Sequence, residues 1–440
     1  MSKTIASGKR YRYFYGWNIV ATGILSQFAH IAEINSIIGL FLKPMGQDVG
    51  FSRAAISGVQ SMNRVTEGLL GPAVGRLLDR GWVKQLMIGG ALLAGGGLIL
   101  LSQVRALWQL YLLKGLIVGV GMAGFGRLVV NVTVNNWFVR KRGRALGIVG
   151  MGGSLGTILV VPLMAWVLTM IGWRWSWAVL GLFVWAIVLL PAALFMVRRP
   201  EDMGLQPDGM AAGEEKGQAQ PSSLPHKDNP VTHKQAPSSV DGVSWTGRQA
   251  LLTRTFWLLT LTIGMAHLAT QALNLHLIPY LQDLGFAATI GATVVSVRGV
   301  FQLIGGPIWG FVAERIEPRY LASGMFLVFA VSIFVLMNAS SLTTILAANI
   351  LYGGAFSGTG ILAEIMWANY YGRRSLGVIR GLGEPVTVIF SAAGPIVAGV
   401  IFDLTKSYDG AFLMIIGGAI ISSVLVLFCT RPKQLTPRQQ

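Results

Sequence analysis

A single cysteine in 440 residues, Cys429, excludes an intrachain disulfide and every cysteine-based metal spacing. Charge is scarce as well: Asp, Glu, Lys and Arg together make up 12% of the chain, about half of what a soluble domain carries. Acids are the rarer kind, 18 against 35 basic residues, for a net charge of +17. Ser and Asp occur without a nucleophile–base constellation, and no phosphate-binding loop is present, so neither an enzyme nor a cofactor is expected. What the chain has in abundance is apolar residue, 53% of the total, with a mean hydropathy of +0.60. Apolar runs of roughly 20 residues recur, each long enough to cross a ~30 Å hydrocarbon core as a helix. Frequent glycine fits helices packed closely in a bilayer. The glycine runs GVGMAGFG (119–126) and GIVGMGGSLG (147–156) fall inside such segments, where they serve helix packing rather than a dinucleotide.

Twelve spans can be drawn, over 17–42, 53–76, 85–103, 108–136, 144–169, 174–197, 255–281, 288–312, 320–338, 342–368, 375–400 and 410–429. The basic N-terminus runs into an apolar stretch too long for a signal peptide, so it reads as a retained first span. Between spans 6 and 7 lies 199–250, rich in Pro, Gly, Ser, Gln and charge, which cannot bury a core and is expected to be a flexible cytoplasmic linker. The chain thus divides into residues 1–198, the linker 199–250 and residues 251–440. With both termini cytoplasmic, 25 basic residues fall on that side and five on the other, with five more inside spans. The excess of positive charge therefore reflects topology and contact with anionic lipid in a plasma membrane, not nucleic acid.

The chain also repeats itself. GPAVGRLLDR (71–80) and GPIWGFVAER (306–315) share GPxxGxxx[DE]R, 235 residues apart, at the ends of spans 2 and 8. RALG (144–147) and RSLG (374–377) open spans 5 and 11. Two parallel six-helix repeats imply an all-α membrane protein, twelve transmembrane helices in two pseudo-twofold-related bundles with a site between them near the midplane.

On these residues the sequence resembles the major facilitator superfamily over essentially its full length. GRLLDRGWVK (75–84) is similar to that superfamily's loop signature between helices 2 and 3, with Gly81 one position early. The resemblance implies a gating role for Gly75, Asp79, Arg80 and Lys84, and for Gly310, Glu314 and Arg315 in the repeat. Asp79 would receive helix N-termini and an Arg partner and so latch the outward-open state. Within the superfamily, YGWNIV (15–20), WFVRKRGRALGI (137–148) and RRPEDMGLQPDG (198–209) resemble monocarboxylate-porter and oxalate/formate-type carriers. The porters' acidic-Gly-aromatic signature is absent from the first helix, where Tyr15-Gly16-Trp17 stands.

Charges at depth point the same way. An Arg at a helix centre costs about 2.5–3.5 kcal/mol on insertion scales, so Arg64, Arg127 and Arg298 would together cost on the order of 8–10 kcal/mol in lipid. They are expected to face the bundle interior, where a guanidinium fork suits a carboxylate. The resemblance implies an Arg in helix 8 and a Lys in helix 11 as carboxylate ligands: Arg298 matches the first, and Arg380 stands in for the second. Lys114 is expected to snorkel to the outer interface. Arg64 and Glu67 are i,i+3 neighbours, either a structural ion pair or one that substrate or a proton displaces. Candidates for proton coupling are His30 and Glu33 on one face of span 1, Glu67, and Glu384 near Arg380; burial and a nearby Arg pull a carboxyl pKa in opposite senses. His267 and His276 read equally well as core histidines. The expected function is secondary transport of a small organic carboxylate by alternating access, with proton symport. Two alternatives stay open: a proton-coupled exporter of drug-like compounds, although Thr157 replaces the Pro of the helix 5 antiporter signature, and a solute sensor on the same fold.

Overall fold

The computed structural model describes residues 14–33, 35–139, 141–207, 245–313, 315–372 and 376–432, and the side chains of Glu33, Arg142 and 376–378 are outside that description. The described residues form helices and turns. Among the described residues, ten helices are long and apolar enough to span a membrane by composition. One of these, the run Arg142–Phe195, is two helices joined at Gly172, whose φ of 75° only glycine adopts easily. A further helix, Arg53–Asp79, has the length but is less apolar, interrupted by Ser57, Gln60, Ser61, Asn63, Arg64, Thr66 and Glu67. The twelve are α1 (Gly16–Val49), α2 (Arg53–Asp79), α3 (Val83–Gln103), α4 (Leu107–Trp137), α5 (142–171), α6 (173–195), α7 (Arg254–Asp283), α8 (Ala288–Ala313), α9 (Pro318–Met337), α10 (Leu342–Tyr371), α11 (Leu376–Thr405) and α12 (Asp409–Leu427).

Packing follows the internal repeat. α1 lies on α5 as α7 lies on α11, α3 on α6 as α9 on α12, and α2 on α4 as α8 on α10. The halves meet through α1 with α7, α2 with α11, and α5 with α8. Small residues permit this. A Cβ on Gly39 would lie 2.5 Å from the Leu275 carbonyl oxygen, so α1 and α7 touch backbone to backbone. The linker stretch is ordered at its two ends: Pro200–Met203 forms a 3₁₀ turn and Gly247–Leu251 a short helix capped by Thr246, while 208–244 lie outside the described residues. Cys429 is buried just beyond α12, its Sγ 3.6 Å from the Leu425 carbonyl oxygen.

Because α6 ends and α7 begins at the linker, one end of the bundle is the linker side and the other the far side. The described hydrogen bonds and ion pairs between the halves all lie at mid-level or toward the far side. Lys43 bridges to Asp283 at 3.2 Å, Arg53 to the same carboxylate at 2.7 Å, and Ser57 meets His276 at 3.2 Å. Deeper, Ser61 donates to the Ala392 carbonyl at 2.5 Å and Ser296 to that of Ile158 at 3.0 Å. Toward the linker side the same helices part. A Cβ on Gly71 or Gly75 of α2, Gly147 or Gly150 of α5, Gly310 of α8 or Gly381 of α11 would meet nothing within 4 Å. Among the described residues the two halves are therefore bonded to each other at mid-level and at the far side, and not toward the linker side.

Candidate functional site

α4 supplies the first piece of the site by not being continuous. Its Tyr111–Val118 stretch is a π-helix, and the helix breaks at Gly126, where ψ of −172° leaves the helical range. The Phe125 carbonyl freed by the break takes the Ser26 hydroxyl of α1 at 2.6 Å. The break brings α4 close against two side chains: a Cβ on Gly126 would lie 3.2 Å from both Glu67 Oε1 and His30 Nε2. His30, at the start of a 3₁₀ turn within α1, is 3.4 Å from the Glu67 carboxylate, and Arg64 is 3.9 Å from its other oxygen. Sequence reasoning paired Arg64 with Glu67; it did not bring His30 of a different helix to the same carboxylate.

The C-terminal half contributes from α7, α8, α10 and α11. His267 on α7 lies within the electrostatic reach of both Arg64 and Arg380, so the two halves' charges converge on one ring. Arg380 is ion-paired with Glu364 of α10. Glu384, one turn along α11, is exposed and makes no ion pair among the described residues. Arg298 is 3% exposed, with its guanidinium carbon 5.0 Å from the centre of the Tyr352 ring. Its Nε and Nη1 are buried without a hydrogen-bond acceptor, as is the Tyr352 hydroxyl. A guanidinium with no acid paired to it among the described residues, resting on an aromatic face, is held in place but not neutralised.

Arg127 follows the α4 break as the first residue of its second segment and is exposed. Lys114 departs from expectation. It is 1% exposed, inside the N-terminal half, and its carbonyl accepts from Asn63 Nδ2 at 2.8 Å. The π-helical stretch around it shifts the register of the helix, so counting residues from the span's end misjudges which way Lys114 faces. Of the residues expected to gate, Asp79 ends α2 with its carboxylate free of partners among the described residues, while Arg198 donates to its carbonyl. Gly75 and Gly310 face open space, Arg80 and Lys84 are exposed, and Arg315 lies 4.5 Å over the Phe311 ring. Glu314 and the Glu33 side chain fall outside the described residues.

The sequence matches the family model of the Major Facilitator Superfamily over residues 24–296 and 259–440. The chain belongs to that superfamily. Among curated relatives, this facilitator is 27% identical to monocarboxylate transporter 12 of Rattus norvegicus over 80% of its own length and 73% of the relative's. It is 29% identical to the oxalate:formate antiporter of Oxalobacter formigenes over 68% of its length and 62%, under two thirds, of that protein's. Among solved structures, a bacterial homologue of the human lysosomal transporter Spinster, inward-facing and unoccupied, superposes with a TM-score of 0.65 at 14% identity, covering 96% of this chain and 95% of that one. The nucleoside transporter NupG superposes at 0.69, also 14% identical, over 93% and 99%. These likenesses share the fold alone. The facilitator is thus an integral membrane transporter of a small molecule, not an enzyme, with the twelve-helix, two-bundle architecture its repeat implies.

Proposed function

We propose that this facilitator carries a small organic carboxylate across the membrane by alternating access, coupled to protons, with its linker side in the cytoplasm. The observation that carries the reading is Arg298: a guanidinium buried at mid-span, steadied by Tyr352, with buried N–H groups that lack acceptors. A buried cation without a counter-charge is costly, and an anionic solute that supplies both oxygens to its fork removes that cost. The names of the monocarboxylate and oxalate:formate relatives support the same class of solute. The His30–Glu67–Arg64 group supplies the coupling. A carboxylate shared by an imidazole and a guanidinium changes its protonation when either partner is drawn away, and it stands where α1, α2 and α4 converge on the cleft.

The test is a thermal-shift screen of purified protein against mono- and dicarboxylates, with uptake into proteoliposomes under an imposed pH gradient. A carboxylate that stabilises the parent but not Arg298→Ala, and that accumulates only with the gradient, is the expected result. Stabilisation by neutral or cationic solutes alone would overturn the reading.

A further inference from the structure

The far-side closure is chemically more than a set of surface ion pairs. α2 begins with Ser52, whose Oγ accepts from Ala55 N–H at 3.1 Å, leaving the N–H groups of Arg53 and Ala54 pointing off the helix end. Both are taken by one carboxylate from the opposite half: Asp403 Oδ1 accepts from Arg53 N at 3.2 Å and Oδ2 from Ala54 N at 2.9 Å. An anion of the C-terminal bundle thus completes the N-cap of a helix of the N-terminal bundle, with the helix dipole and two charge-assisted bonds favouring it. The approach is close enough to need Gly399, where a Cβ would lie 2.8 Å from Ala54 Cα.

The Arg53 side chain then folds back over α11. Its guanidinium carbon lies 3.6 Å from the Phe402 ring centre, Nη1 donates to Tyr408 at 2.5 Å and Nη2 pairs with Asp283 at 2.7 Å. Burial, partly countered by Arg53, pushes the Tyr408 hydroxyl pKa up, so that group keeps its proton. The proton points to His276 Nδ1 at 3.0 Å, while His276 Nε2 donates to the Pro395 carbonyl at 3.0 Å. Arg53, Tyr408 and His276 therefore form one continuous line of donors and acceptors across the seam. At the linker side, by contrast, α2 ends in Asp79, whose carboxylate has no such partner among the described residues.

We propose that Asp403, by capping the first turn of α2 from the opposite half, is the latch that holds the far side shut, and that the far side opens only when this carboxylate leaves the α2 N-terminus. The latch acts on the gating equilibrium and not on the solute, so it holds whichever solute is carried. Arg53, Phe402 and Tyr408 orient it, and Gly399 gives it room.

The test reads access without transport. Ser57→Cys places a thiol one turn beneath the latch, where Ser57 is fully buried, and Ala91→Cys places a control in the packed interior of the N-terminal half. Full-length protein in nanodiscs is labelled with a maleimide in the parent, Asp403→Ala and Asp403→Asn backgrounds. Asp403→Ala is expected to raise the Ser57→Cys labelling rate about tenfold, or ~1.4 kcal/mol in the gating equilibrium, and to leave Ala91→Cys unchanged. Asp403→Asn, which keeps one acceptor oxygen and loses the charge, is expected to give a smaller rise. An unchanged rate at Ser57→Cys in both backgrounds would overturn the proposal. So would an equal rise at both thiols, which would mean general loosening and no latch.

Discussion

Between α2 and α4 of the N-terminal half, Lys114 is buried beside the Asn63 contact, and the nearby Arg64 shares Glu67 with His30. Between α8 and α10 of the C-terminal half, the same level holds Arg298 against Tyr352. The repeat sets these places in register: Asn63 precedes the GPxxG motif of α2 by as much as Arg298 precedes that of α8. Equivalent places in the repeat thus carry two chemistries. The first half gathers acid, imidazole and guanidinium into one group. The second holds Arg298 without an acid partner among the described residues. Under the proposed function, the asymmetry of the two halves' side chains would let solute and proton be handled separately.

The sharpest way to break this contrast is Arg298→Ala. Solute-driven stabilisation should vanish and proteoliposome uptake should fall by about two orders of magnitude or more, because a site built to bond an oxyanion is left without its donors. Arg298→Lys should recover little of it, since an ammonium cannot present the planar fork. On the other side of the comparison, Glu67→Gln should abolish accumulation driven by a pH gradient while counterflow exchange of the carboxylate continues. Loss of both would show that Glu67 serves binding, and the division of labour would fail.

Smaller effects follow from the helix breaks. Gly126→Ala puts a methyl group 2.9 Å from the Met122 carbonyl oxygen and against Glu67 and His30, and should destabilise the protein by ~1–3 kcal/mol, visible as a lower melting temperature. Its counterpart in α10 is gentler. Ser357 interrupts that helix with helical φ/ψ, and the Gly354 carbonyl is taken by the Trp309 indole at 2.7 Å. Ser357→Ala should therefore shift melting far less than Gly126→Ala. The smallest change is expected from Arg380→Ala: both partners of the Arg380–Glu364 pair are about half exposed, and such a pair contributes ~0–1 kcal/mol.

How much of this could be read beforehand depends on the range of each interaction. Span positions and the two-bundle repeat follow from hydropathy and from GPxxG and RALG/RSLG, which are local patterns. Arg298 was legible because a charge inside an apolar run is conspicuous by itself. Partnerships across helices were not: His30 meets Glu67, and Arg380 finds Glu364 rather than Glu384 as its partner, through tertiary packing that no spacing encodes. Lys114 was misplaced because a π-helical stretch leaves no mark in composition. The Asp403–Arg53 contact was hidden for another reason. Each residue sits at the end of a helix, where a charge is unremarkable until the opposing half is set beside it.

Cys429 carries one practical consequence. Its thiol lies in the interior just past α12, and burial raises its pKa to about 12. As the single native thiol it is buried away from alkylating reagents, so a fluorophore or spin label on an accessible cysteine introduced along the transport route is expected to report from that position.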